Sequence, residues 1–100
     1  MTLAEIKLSP LPVLLDFYAD WCGPCRLLSP IVDKMAAEFA GEIIVDKIDI
    51  GVDSSIANKY KITTLPTILL VDKGEVKEKI TGAVSEYCLK SMITKHIGIK

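Results

Sequence analysis

Two cysteines three positions apart, Cys22 and Cys25 in the run Trp21-Cys22-Gly23-Pro24-Cys25, follow directly on an apolar stretch, Val13-Leu14-Leu15-Asp16-Phe17-Tyr18. That stretch reads as a buried strand. The segment from Arg26 to Phe39 carries Leu27, Leu28, Ile31, Val32, Met35 and Phe39 at helical spacing. The thiols therefore stand where a strand hands over to a helix. Cysteines at i and i+3 in a first helical turn share a face with Cα atoms about 5 to 6 Å apart, within reach of a disulfide that opens and closes with little backbone movement. At the helix N-terminus unpaired N–H groups and the macrodipole favour a negative Cys22 sulfur, which makes Cys22 the expected nucleophile. Cys25, one turn deeper, is the expected resolving thiol. Pro24 suits an early helical position that needs no N–H donor, and Gly23 omits a side chain that would crowd an approaching substrate. Arg26 adds positive charge near the pair, although an ordinary solvated helix position is the simpler reading.

The elements that must position this pair alternate along the chain. Thr2 and Glu5 have capping-box spacing for a short helix from Thr2 to Leu8, before Pro10 and Pro12 break it. Ile43 to Asp49 reads as a second strand, and Asp53 or Ser54 can cap a short helix through Lys59 and Tyr60. Thr67–Val71 and Val76–Ile80 flank Asp72-Lys73-Gly74-Glu75, a hairpin signal with a glycine available for positive φ. After Gly82, Ser85 can cap a last helix whose stripe is Leu89, Met92, Ile93, His96 and Ile97. This order predicts an α/β fold with a mixed sheet between helical layers: parallel pairing in the first part and an antiparallel edge from the hairpin.

Composition narrows the function classes. One hundred residues, 50% hydrophobic and 25% charged, fit one domain spanning residues 1–100 that buries roughly 60 to 65% of its unfolded-chain surface. Twelve basic residues against thirteen acidic ones, with no long block of either sign, give no electrostatic grip on nucleic acid or anionic lipid. No apolar run approaches the ~18 residues of a membrane span, and no secretory signal is visible, so a cytoplasmic, reducing setting is expected. Three cysteines are too few for a secreted disulfide framework and favour a catalytic or metal role for the close pair.

Asp16 is hard to place on a wet surface, because central strands covered by helices have little water near them. A buried carboxylate with a raised pKa could take a proton from Cys25; one at a strand edge, or hydrogen-bonded near the helix start, would be structural. The sequence leaves both readings open. Lys47 in the next strand is a plausible charged neighbour, with a snorkelling surface lysine the simpler alternative. Pro66 cannot donate to a sheet ladder and marks a strand start, and Leu65-Pro66 could be cis.

Asp16, Trp21 to Cys25, Pro30, Lys47, Leu65-Pro66-Thr67, Gly74 and Gly82 together resemble the thioredoxin family in order and spacing, from about Val13 to Ile97. The resemblance implies a thioredoxin-like fold, a cis Pro66 packed opposite the cysteines, and a Leu65 backbone offered to a substrate strand. It implies that Asp16 and Lys47 form a buried pair tuning Cys25, and that Pro30 kinks the long helix. Substrate would meet Trp21, Gly23, Pro24, Leu65, Pro66, Gly82 and Ala83. Fewer residues precede Cys22 than is usual in the family, so the first strand or first helix should be reduced or missing, leaving four strands.

The implied activity is reduction of protein disulfides through a Cys22–Cys25 pair, in a monomer without cofactor or metal. A flavin-dependent thioredoxin reductase, or a ferredoxin-linked one, would recycle it. A thiol oxidase or isomerase of an oxidising compartment and a non-catalytic binding subunit are the rival readings. Cys88 is expected on or beside the packed face of the last helix as a partly buried, inert thiol. His96 is expected either as a charge favourable to the helix C-terminus or as a stripe residue with a wet tip. Cys22, Cys25, Cys88 and His96 could total four zinc ligands but lack structural-site spacing.

Overall fold

The computed structural model describes residues 1–98; the last two residues of the expected 1–100 unit lie outside them. The elements run α1 (Leu3–Leu8), β1 (Val13–Tyr18), α2 (Gly23–Glu38), β2 (Ile44–Asp49), α3 (Ser55–Lys59), β3 (Thr67–Asp72), β4 (Glu75–Thr81) and α4 (Glu86–Ile97). The four strands form one sheet in the order β2-β1-β3-β4. Four strands were expected. β1 and β2 are parallel, as the strand-helix alternation implied. Antiparallel pairing is not confined to the hairpin, however: β3 also runs antiparallel to β1. The segment through α3 returns the chain in the reverse direction, so β3 and not an edge strand carries the switch.

β1 is central and buried from Val13 to Phe17 because both its faces are covered. Successive side chains of a strand point to opposite faces. Val13, Leu15 and Phe17 meet Ile6 of α1 and Ile56 and Ala57 of α3. Leu14 faces the other way, onto Leu28, Val32 and Met35 of α2 and Leu89 and Ile93 of α4.

Local chemistry sets the ends of these elements. Thr2 Oγ1 accepts from Glu5 N at 3.1 Å while Glu5 Oε1 accepts from Thr2 N at 2.8 Å, so the capping box is complete. Ser85 Oγ accepts from Cys88 N at 3.1 Å at the start of α4. Ser54 occupies the cap position of α3 but makes no side-chain cap; Asp53 Oδ1 accepts from Ser55 N instead, at 2.9 Å. The hairpin turn needs two positive φ values, 55° at Lys73 and 86° at Gly74, of which glycine supplies only one.

Helix α2 begins at Gly23, three residues before the apolar periodicity does, and runs through Pro30 to Glu38. Its buried stripe is Cys25, Leu28, Val32 and Met35. Leu27 does not belong to it; the residue is 74% exposed, one position round from Leu28. This register yields a direct contrast. Leu28→Ala should destabilise the fold by about 2–5 kcal/mol and Leu27→Ala by less than about 0.5, measured as urea unfolding midpoints.

Candidate redox site at the start of α2

Cys22 is the N-cap of α2, and Cys25 lies in its first turn. The two sulfurs are joined as a disulfide with Cα atoms 5.4 Å apart, inside the range expected from their spacing. Cys25 N–H donates to Cys22 Sγ at 3.3 Å, so an otherwise unpaired first-turn donor already points at that sulfur. In the reduced protein the same donor and the helix dipole favour the thiolate at Cys22. Cys22 N–H donates to Ala19 O at 3.1 Å, which closes the turn out of β1. Arg26 is exposed and donates to Asp20 O at 2.8 Å, tying the same turn from outside.

Beside Cys25 lies a cavity of about 220 Å³ lined by Asp16, Lys47, Ser29 and Arg26 among others. Asp16 is 2% exposed, and its Oδ1 has no hydrogen-bond partner among the described residues. Burial pushes its pKa up from 3.8 to about 6, with Lys47 opposing the rise and Asp33 adding to it. Of the structural alternatives open from sequence, the strand-edge one is excluded, because Asp16 pairs on both sides, with Lys47 of β2 and Ile68 of β3.

Asp16 and Lys47, the pair implied by the family resemblance, make no direct ion pair, although the Lys47 charge acts on the Asp16 carboxyl. Lys47 is in register with Asp16, but its Nζ lies 2.6 Å from Asp33 Oδ1 and 2.6 Å from Ser29 Oγ, and its side chain is 30% exposed. A partly wet ammonium keeps more of its hydration beside a surface carboxylate than in contact with a buried one. Ser29 and Asp33 had not been singled out from the sequence. The signal was present: residues 25, 29 and 33 recur every four positions, which places them on one stripe of α2.

The second part of the site comes from the entry to β3. The Leu65-Pro66 bond is cis, Pro66 is buried, and Pro66 O accepts from Gly82 N at 2.8 Å. Gly82 has φ 84°, a left-handed conformation that favours glycine. Leu65 and Trp21 line one groove with Ile50, Ile62, Thr63 and Thr64, and Trp21 is 76% exposed. Gly23, Pro24 and Ala83 are exposed too. A Cβ at Gly23 would meet no atom of the protein, so internal packing does not require glycine there.

Family comparison agrees with this geometry. The family model for Thioredoxin matches residues 4–95. The chain belongs to the thioredoxin family. Similar relatives include the chloroplastic M-type thioredoxin of Zea mays, 41% identical over 87% of this chain and 52% of that one. A thioredoxin of Porphyra purpurea is 42% identical, and thioredoxin 1 of Synechococcus elongatus 36%, each over 93% of this chain and 87% of the relative. The chain spans about half the length of the chloroplastic relatives it matches. No described helix is long and apolar enough to cross a membrane.

Two residues outside the thioredoxin pair stand differently from expectation or apart from it. Cys88 is an exposed free thiol, not a partly buried one, because α4 turns Leu89, Met92 and Ile93 inward and leaves position 88 outward. His96 reaches back to Asp72, with Nε2 3.3 Å from Oδ2. Neither joins the Cys22–Cys25 pair, and among the described residues no group of three or more His, Cys, Asp or Glu side chains could hold a metal ion.

Asp16 also sets a pH dependence of stability. Its carboxyl titrates near 3.8 when unfolded and at about 6 when folded, so between those values the folded state binds the proton more tightly. Above pH 6 the ionised group destabilises the fold by of order 2–3 kcal/mol, and that cost disappears as pH falls towards 3.8. Asp16→Asn should therefore be more stable than wild type at pH 8 and indistinguishable from it near pH 4, followed as urea unfolding free energy against pH.

Proposed function

We propose that this chain is a protein-disulfide reductase of the thioredoxin type, acting as a single thioredoxin-like unit across residues 1–100 and as a monomer. The observation that carries the reading is the Cys22 sulfur at the N-cap of α2, hydrogen-bonded by Cys25 N–H, with Cys25 one turn further in above a buried carboxyl. The Cys22 thiolate attacks a substrate disulfide, forming a mixed disulfide and releasing one substrate sulfur as a thiolate. Asp16 takes the Cys25 proton; the Cys25 thiolate attacks Cys22 Sγ, the bond to substrate breaks, and the second substrate sulfur leaves reduced. The substrate gains two electrons and the Cys22–Cys25 disulfide is left behind. Lys47 moderates the basicity of Asp16 through its charge.

Substrate segments dock along Trp21, Gly23, Pro24, Leu65, Pro66, Gly82 and Ala83, where the backbone of Leu65 offers hydrogen bonds to an extended chain. An exposed apolar Trp21 next to that backbone supports this placement. A thioredoxin reductase, flavin-dependent or ferredoxin-linked, returns the pair to the dithiol. The setting is reducing and cytoplasmic; an exposed free thiol at Cys88 supports a reducing compartment.

Insulin reduction with NADPH and a flavin-dependent reductase, or with a ferredoxin-linked donor system, tests this reading. Wild type should turn over with one of these donors, Cys22→Ser should lose at least ~10²-fold, and Cys25→Ser should accumulate a covalent mixed disulfide. Absence of turnover with either donor, or a Cys22→Ser, Cys25→Ser double variant that keeps full biological activity, would favour a binding subunit. In a glutathione-buffered titration the midpoint should fall near about −270 mV, a value known for thioredoxins generally; one near the about −120 mV of the oxidant DsbA would make the protein an oxidase.

A further inference from the structure

Strand neighbours in register project to the same face, so Lys47 begins its course directly beside Asp16. A lysine so placed starts only one strand spacing, about 4.8 Å, from the acid. It is instead held by two groups on successive turns of α2, Ser29 Oγ and Asp33 Oδ1, each 2.6 Å from Nζ. Asp16 Oδ1 keeps no partner among the described residues, although it is almost fully buried and faces the same cavity as Cys25 and Lys47. Two short contacts to one ammonium, beside one unsatisfied carboxyl oxygen, form an arrangement with a direction: the positive charge is drawn away from the acid.

We propose that Ser29 and Asp33 are positioning residues that hold the Lys47 ammonium off Asp16 and so keep Asp16 basic enough to take the Cys25 proton. The inference rests on the disulfide-reductase reading. In that step the S–H bond of Cys25 breaks, its proton goes to the Asp16 carboxylate, and the sulfur electron pair forms the bond to Cys22 Sγ as the mixed disulfide opens. A direct Asp16–Lys47 ion pair would stabilise the carboxylate and weaken it as an acceptor.

The other groups around Asp16 do not duplicate this control. Tyr18, Asp20 and Arg26 line the cavity, with Arg26 turned to the Asp20 carbonyl. β3 presents Thr67 and Ile68 to β1, neither of which titrates. On α4, which packs on the same sheet face, Glu86 is paired with Lys34, Lys90 with Glu38, Lys95 with Glu78 and His96 with Asp72. Asp33 acts twice, through its own negative charge and through Lys47.

The test is a pH titration of the Asp16 carboxyl by NMR in the oxidised protein, without substrate or reductase. Asp33→Ala should lower the midpoint by about one pH unit, and Ser29→Ala should lower it by less. In a Lys47→Met background the Asp33→Ala shift should fall to less than half, since only the direct charge effect survives. A midpoint that stays put or rises in Asp33→Ala would overturn the proposal, as would an undiminished shift in the Lys47→Met background. Asp33 is 68% exposed, so its variant should keep the wild-type fold, read as an unchanged far-UV circular dichroism spectrum. Failure of insulin reduction would count against the reductase reading alone, since the carboxyl midpoint is read without turnover.

Discussion

The covering of β1 on both faces governs the molecule. A strand with apolar layers above and below must satisfy its backbone entirely through neighbours, and β1 does so between β2 and β3. Its direction then fixes where the chain emerges. The residues after Tyr18 turn back through Ala19 O to Cys22 N, and α2 starts at once over the end of the sheet. The disulfide is thus placed by the packing of Leu28, Val32 and Met35 against Leu14, Ile68 and Leu70, at a distance from the sulfurs themselves.

The same covering makes Asp16 unusual. An apolar residue at that position would pack without penalty, whereas a carboxyl there has little water and an oxygen without a partner. Burial is the main cause of its raised pKa, with Asp33 adding to the rise and Lys47 opposing it. Lys47 could offset the penalty by direct contact, yet its ammonium stays with Ser29 and Asp33 nearer the surface.

Some elements were legible residue by residue. The capping box of α1, the limits of β1, the hairpin around Gly74 and the Ser85 cap of α4 all follow from local rules that need no distant partner. Others were not. Leu27 satisfies helical spacing as well as Leu28 does, and only the position of the sheet decides which is inside. Cys88 beside Leu89 is the same case, since one position is a 100° turn of the helix and separates an exposed thiol from the core. The reversal of β3 relative to β1 likewise depends on how the segment after β2 packs, which alternation of elements does not encode.

The sequence by itself determined that two thiols share the first turn of a helix, that an acid interrupts an apolar strand just before it, and that a proline opens a later strand. Those are consequences of covalent spacing and backbone geometry over a few residues. Only the tertiary structure decided which charge answers the acid. Lys47 stands beside Asp16 across two strands, yet Ser29 and Asp33 on a third element reach it first, because electrostatic partners are chosen by distance and hydration in three dimensions.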